Sequence, residues 1–138
     1  MKMKLSICML FFALLIGCTA ENTELNGEIT KIQVQKNTNE KEERIIKDKE
    51  TLELLKSYLE KILWENAKIE MSRKQDVTIT LSIDLDSKEI LKEYDIWFNN
   101  DNSATFINYN EQKKGTLNKE DANGFKEILM NKQRFCFP

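Results

Sequence analysis

The fold class follows from one stretch, Val77-Thr78-Ile79-Thr80-Leu81-Ser82-Ile83-Asp84. Large apolar residues occupy every second position and alternate strictly with hydroxyl or carboxyl side chains. Successive side chains of a β-strand point to opposite faces of a sheet, so this period of two places the apolar groups on one face. A strand with one buried and one wet face is typical of an antiparallel sheet that is covered on one side.

A helix that can supply this cover is predicted upstream of the strand. Its apolar residues recur at three- and four-residue steps with charged residues between them, as an amphipathic helix requires. This apolar stripe consists of Leu52, Leu55, Leu59, Ile62 and Leu63. Asp48 stands where an N-cap is expected. Trp64 is interpreted as the edge of the core rather than as part of a site.

Downstream of the strand, a hairpin and a second helix are predicted. An alternating run through Tyr94, Ile96 and Phe98 leads into a polar turn at residues 99–103, after which residues 105–109 resume a β-like composition. Residues 110–117 can add a further strand. Asn118 can cap the second helix. The apolar residues of that helix are Ala122, Phe125, Ile128 and Leu129.

The N-terminal part of the domain begins with a predicted strand at residues 28–35. Thr30, Ile32 and Val34 share one parity there, although Ile29 falls out of phase. The polar residues 36–49 are predicted to form a loop. Within it, Ile45 and Ile46 can add a short strand, and the charge run Glu40-Lys41-Glu42-Glu43-Arg44 is interpreted as a solvated surface.

These elements predict a single α+β domain over residues 28–138. The expected architecture is an antiparallel sheet of about four to five strands packed against two helices, in the order β-α-β-β-β-(β)-α, because consecutive strands favour antiparallel pairing. A chain of 138 residues has room for one such core.

The first 18 residues have the features of an export signal. Lys2 and Lys4 precede an apolar run that ends at Leu15-Ile16-Gly17-Cys18, after which the sequence turns polar. This ending resembles the lipobox of bacterial lipoproteins. The resemblance implies a signal peptide at 1–17, cleavage between Gly17 and Cys18, and a diacylglyceryl thioether on Cys18. Residues 18–27 would then tether the domain to the outer face of the cell membrane.

With its lipobox, the order of elements over residues 28–130 resembles the small lipoproteins of Gram-positive bacteria that are grouped around the YhfM-like domain. The resemblance implies an extracytoplasmic α+β domain. It implies no functional residues.

Two further cysteines, Cys8 and Cys136, lie outside the predicted lipobox. Cys8 lies in the predicted signal peptide. Cys136 stands between two phenylalanines near the C-terminus, where it is interpreted as a small buried apolar residue, with an intermolecular disulfide as the alternative.

The composition excludes several kinds of chemistry. The chain has no histidine, which removes Ser-His-Asp and Cys-His catalysis and His-ligated zinc. With 21 basic and 23 acidic residues, nothing in the net charge of −2 favours nucleic acid. No glycine-rich phosphate loop is present. We therefore expect no catalytic residue, no cofactor and no enzyme activity.

Two groups of oxygen ligands are candidate calcium sites. One is Asp84, Asp86 and Glu89, and the other is Asn100, Asp101 and Asn102. Neither completes an EF-hand spacing. A solvated strand end explains the first group and turn chemistry explains the second, so we expect no metal.

Trp97 is the candidate binding residue. It breaks the parity of Tyr94, Ile96 and Phe98 and is therefore predicted to project from the opposite face of the sheet. An aromatic exposed there can anchor a partner, whereas the alternative is a tryptophan covered by a loop or by the second helix.

The function predicted from these observations is a membrane-tethered, non-catalytic binding or accessory module. Its partner would be an envelope protein, a peptide or a small extracellular ligand. The alternatives are an immunity-type lipoprotein that intercepts a toxic peptide at the membrane and, less favoured by the residues, an enzyme.

Overall fold

The computed structural model describes residues 25–40 and 42–130. In chain order, the elements of these residues are β1 (Glu28–Lys36), β2 (Glu42–Ile46), α1 (Lys49–Leu59), β3 (Leu63–Asn66), β4 (Val77–Leu85), β5 (Lys88–Phe98), β6 (Ala104–Asn108), β7 (Lys113–Leu117) and α2 (Lys119–Met130).

The strands form one seven-stranded sheet in the order β2-β1-β4-β5-β6-β7-β3. All neighbouring pairs are antiparallel, which confirms the predicted α+β class with two helices. The expected number of four to five strands is wrong. The sequence pattern missed β3 because this short strand follows α1 so closely that its apolar residues continue the helical spacing.

A β-bulge resolves the parity conflict in β1. The pairing of β1 with β4 shifts register between Ile29 and Lys31. Ile29, Ile32 and Val34 are therefore buried, whereas Thr30 is exposed. An extra residue in one strand of an antiparallel pair moves the following side chains to the other parity.

The first helix begins and packs as predicted, but it ends sooner. Asp48 is the N-cap, with its carboxylate accepting hydrogen bonds from the Thr51 N–H at 3.0 Å and the Thr51 hydroxyl at 2.6 Å. The stripe from Leu52 to Ile62 is buried. Leu63 is 71% exposed, so its predicted place on the stripe is wrong. It belongs to β3, where it pairs with Thr116.

The second helix is capped from two parts of the chain. The Asn118 side-chain oxygen accepts the Asp121 N–H at 2.9 Å, as predicted for an N-cap. At the other end, the Arg44 guanidinium donates to the carbonyl oxygens of Ile128 at 3.1 Å and Leu129 at 3.4 Å. Arg44 lies in β2, so the prediction that this charge run is a solvated loop is wrong for its last residues. Burial lowers the pKa of Arg44.

Both helices cover the same face of the sheet, which we call the helix face. Phe125 of α2 packs on Phe106 of β6 with ring centroids 5.4 Å apart, and α1 packs beside α2 over β1. Trp64 lies at the margin of this core, 5.4 Å from the ring centroid of Tyr94. Leu25 also packs on the core, so the fold includes residues that were assigned to the tether.

Candidate functional site

The opposite face of the sheet, here the second face, is divided into a covered and an open part. Residues 67–76, the crossover segment, connect β3 at one edge to β4 in the interior and must therefore pass β7, β6 and β5. The Trp97 indole N–H donates to the carbonyl oxygen of Arg73 at 2.9 Å. Ile96 points into the core on the helix face, so the side chain of its neighbour Trp97 points to the second face. The bond to Arg73 therefore places the crossover segment on the second face.

The side chain of Trp97 points to the predicted face of the sheet but is not exposed there. Its side chain is 2% exposed, so the hypothesis of an exposed aromatic anchor is wrong and the alternative, a tryptophan covered by a loop, is confirmed. Ile107 on the neighbouring strand is also fully buried on this face. Residues 67–71 alternate apolar with charged side chains, but the path of the segment depends on β3 pairing at the distant edge. The sequence therefore gives no local signal that Trp97 is covered.

An ion pair fixes the end of the crossover segment. Arg73 donates to both carboxylate oxygens of Asp76, at 2.8 and 3.1 Å, and to the Phe98 carbonyl at 2.9 Å. Asp76 also accepts the Phe98 N–H at 2.7 Å. Partial burial raises the pKa of Asp76, but these hydrogen bonds and the positive charges of Arg73 and Lys126 outweigh it, so the pKa lies below its usual value. This network is structural, since its partners hold the segment against β5.

The first group of possible calcium ligands lies around the turn between β4 and β5. Asp86 and Ser87 occupy the turn with φ of 51° and 64°, and Asp84 and Glu89 face each other as an exposed pair beside it. Left-handed turn residues of this kind favour Asp for conformational reasons.

The second group belongs to the turn between β5 and β6. Asp101 accepts the Ser103 hydroxyl at 2.6 Å and the Ser103 N–H at 2.9 Å, and these bonds lower its pKa. Asn102 has φ of 69°, as its turn position requires. Within residues 25–40 and 42–130, no three metal-ligating side chains come together.

The open part of the second face lies around the first half of β5. β6 pairs with β5 only from Asp95 to Phe98, whereas β4 pairs with β5 from Lys88 to Ile96. Residues 88–93, here the β5 arm, therefore extend beyond the β6 ladder. On the second face of this arm, the side chain of Leu91 is 63% exposed. The arm is a candidate binding surface. The alternation of apolar residues in the sequence did not predict it, because the arm exists only since β5 is longer than β6.

Two clefts among the described residues are small or shallow. One of about 190 Å³ lies between the start of β1 and α1, where the Lys56 ammonium donates to the Gly27 carbonyl at 3.4 Å. This volume falls below the roughly 300–1,000 Å³ of most small-molecule sites. Another, of about 300 Å³, lies on the surface of α2.

The predicted lipidation and cleavage residues, Cys18 and Gly17, lie outside the described residues, as does Cys136. In the described part of the chain, neither helix has the length and hydropathy of a membrane-spanning segment.

The family model described as YhfM protein matches residues 26–134, which confirms the resemblance predicted from the sequence. Among solved structures, a thioesterase-like protein from Clostridium sporogenes is similar, with a TM-score of 0.55 and 18% sequence identity over 75% of this chain and 95% of that one. At this identity the likeness shows the fold alone. No curated protein matches the chain in sequence.

Proposed function

This chain belongs to the YhfM protein family. We propose that it is an extracytoplasmic binding module, anchored in the cell membrane by lipid on Cys18 and without catalytic activity. Its partner is an envelope protein or a peptide. The family description names no activity, so the proposal rests on the residues of this chain.

The observation that carries the binding role is the β5 arm. Leu91 projects from the sheet with 63% of its surface exposed, in a strand segment that lies beyond the β6 ladder. Folded proteins generally protect the edges of their sheets, because exposed backbone groups pair with other chains. An edge that carries a large exposed apolar residue is a suitable surface for a protein or peptide partner.

The lowered pKa values of three described aspartates support a non-catalytic role. Asp48, Asp76 and Asp101 have pKa values below the usual value, and hydrogen bonds to caps, turns or an ion pair lower each of them. A carboxyl group that acts as a general acid near neutral pH needs a shift in the opposite direction. The chain also has no histidine to serve as a base.

The position of the N-terminal end of the fold supports an anchor close to the β5 arm. Gly27 lies against Asp84 of β4, with which Glu28 pairs, and Asp84 also pairs with Glu89 at the start of the arm. A tether from Cys18 would therefore join the domain at the end of the sheet that carries the arm. Six residues, 19–24, separate Cys18 from Leu25, and at about 3.5 Å per residue they hold this end near the bilayer.

The anchor is tested by metabolic labelling with a fatty-acid analogue. Cys18→Ser should lose the label and accumulate as precursor, because a hydroxyl does not replace the thiol in forming the thioether. Cys136→Ser is the matched control and should be labelled like the wild type. Equal labelling of all three proteins would refute the lipid anchor.

The binding role is tested by placing a photo-crosslinking residue at position 91 of the lipidated protein in its own envelope. The control places the same residue at Leu63, which is equally open to solvent at the far edge of the sheet. We expect one discrete adduct from position 91 that is absent from position 63. Identical adducts from both positions, or none from either, would contradict the proposal.

The competing hypothesis is an enzyme that acts on thioesters, which the thioesterase-like neighbour raises. We expect the purified protein to leave acyl-thioester substrates unchanged. Turnover that rises with protein concentration and is lost on heat denaturation would replace the binding role with a catalytic one.

A further inference from the structure

We propose that the β5 arm binds an extended cationic peptide, which adds to the sheet as a further strand beside β5. This inference deepens the binding role proposed above and rests on it, since it names the chemical class of the partner.

The backbone of the arm has hydrogen-bonding groups directed away from the sheet. The turn at Asp86 and Ser87 makes Leu85 and Lys88 the first pair of the β4–β5 ladder. Antiparallel pairs alternate between those that exchange both hydrogen bonds and those that exchange none, starting from a bonded pair at the turn. Glu89, Leu91 and Glu93 therefore direct their N–H and C=O groups to the side opposite β4.

No strand of the described residues takes up those groups. The registered pairing of β5 with β6 starts only at Asp95, beyond all three residues. The turn between β6 and β7 marks the end of the accessible edge, since Glu111 in that turn forms an ion pair with Lys92 at 3.4 Å. The available backbone edge thus runs from the β4–β5 turn to Leu91, and Glu93, beyond this ion pair, contributes its side chain.

The side chains of the same three residues share the second face in the order acidic, apolar, acidic. Glu89 and Glu93 are exposed on either side of Leu91. On β4, the opposite residues are Asp84, Ser82 and Thr80, and Asp84 adds a further exposed carboxylate. A strand laid beside β5 would bring its own side chains directly opposite these, and opposite charges in such pairs attract. The complementary sequence is basic, apolar, basic.

The same charges exclude the two simplest alternatives. A second copy of the chain, paired antiparallel about Leu91, would set Glu89 of each copy against Glu93 of the other, and like charges directly opposite are unfavourable. An anionic lipid surface would be repelled by the same carboxylates. A peptide with lysine or arginine at alternate positions is attracted by these carboxylates and is repelled in neither way.

The experiment measures binding of short synthetic peptides to the lipidated protein in detergent micelles. The probe alternates lysine and leucine at the positions that face the arm, and its matched control carries glutamate in place of lysine. We expect the basic peptide to bind and the acidic one not to. Hydrogen exchange should slow at the amides of Glu89 and Leu91 when the basic peptide is present, because a docked strand accepts those N–H groups.

Two variants distinguish strand addition from simple charge attraction. Charge reversal by Glu89→Lys with Glu93→Lys should weaken binding of the basic peptide about tenfold and allow the acidic peptide to bind. Leu91→Pro removes an outward N–H without removing a donor to β4, and should abolish binding of either peptide. Leu91→Thr retains that donor and should still bind. Circular dichroism checks that each variant is folded.

The outcomes separate this inference from the proposed function. Equal binding of basic and acidic peptides, or unchanged hydrogen exchange at Glu89 and Leu91 in the wild type, overturns the peptide inference. If position 91 nevertheless crosslinks to an envelope component, the binding role stands and only the chemistry of the partner is wrong. If neither peptide nor envelope component contacts the arm, both proposals fail.

Discussion

The two faces of the sheet differ in what covers them and therefore in what they can do. The helix face is covered by α1 and α2, and its core is continuous from Ile29 to Leu129. Among the described residues, the crossover segment covers one part of the second face, and the β5 arm is left open. Burial of apolar surface is the main stabilising contribution in folding, so the helix face provides most of the stability. The second face is left available for a partner.

The aromatic residues emphasise the difference. On the helix face, Phe106 contacts Phe125 at 5.4 Å and Trp64 at 6.5 Å between ring centroids, which links the sheet to α2 and to β3. On the second face, the buried aromatic residue Trp97 is held through its indole N–H by the backbone of the crossover segment. One face depends on packing, whereas the other depends on a small number of hydrogen bonds.

The largest effect is expected from a charge in the helix-face core. Leu55 is completely buried, whereas the adjacent Leu54 is 46% exposed on the same helix. Leu55→Asp should unfold the domain, because an unpaired buried charge costs several kcal/mol, a large part of the stability of a small domain. Leu54→Asp is the matched control and should melt near the wild-type temperature. Similar melting temperatures for the two variants would show that α1 does not cover the sheet by this face.

A smaller loss is expected where β3 packs at the edge of the same face. A Cβ atom on Gly115 would lie 2.8 Å from Cε3 of Trp64 and closer still to Ile62. Gly115→Ala should therefore displace both side chains and cost roughly 2–3 kcal/mol, as overpacking does. Thr116→Ala, at the exposed neighbouring position, is the control. Thermal unfolding with tryptophan emission measures the effect, and equal stability of both variants would contradict the close packing of β3.

The contrast between the faces also decides what could be predicted from the sequence. The alternation of Val77, Ile79, Leu81 and Ile83 and the stripe of α1 are local patterns created by contact with one continuous core. The second face produces no such pattern, because its cover comes from a connection whose course is set by strand order. The parity of Trp97 was therefore predictable, whereas its burial was not.

The candidate site was missed for a related reason. The β5 arm is defined by two lengths, since β5 has 11 residues and β6 has 5. The alternation of apolar residues along one strand does not determine how long its neighbour is or in which register the two strands pair. The lysine and glutamate residues of the arm also lower the contrast between its two faces, so residues 88–93 gave no clear strand pattern.

On the second face, the ion pair of the crossover segment should have a moderate, pH-dependent effect. Asp76→Asn removes the negative partner of Arg73 and should cost about 1–2 kcal/mol, as for a hydrogen bond to a charged group. Because folding lowers the pKa of Asp76, the stabilisation is complete above the unfolded value of about 3.9 and is lost as the pH falls through the lowered pKa.

The melting temperatures of wild type and Asp76→Asn should therefore differ most near neutral pH and converge in acid. In a Trp64→Phe background, the emission of Trp97 provides a local measurement, since release of the crossover segment exposes the indole and shifts its emission to longer wavelength. A difference in melting temperature that persists unchanged into strong acid would mean that the Asp76 carboxylate does not stabilise the segment.

The smallest effect is expected at Leu91, on the open part of the second face. Its side chain is 63% exposed and lies opposite Ser82, so Leu91→Asn should change the stability by less than about 0.5 kcal/mol. Ile107 lies on the same face but is completely buried, and Ile107→Asn should cost several kcal/mol because it places an amide in an apolar site. Thermal melting of both variants measures how unevenly this face is packed. If Leu91→Asn is as destabilising as Ile107→Asn, the β5 arm belongs to the core and is unavailable to a partner. If Leu91→Asn melts like the wild type but binds the basic peptide more weakly, the exposed leucine side chain contributes to binding and not to folding.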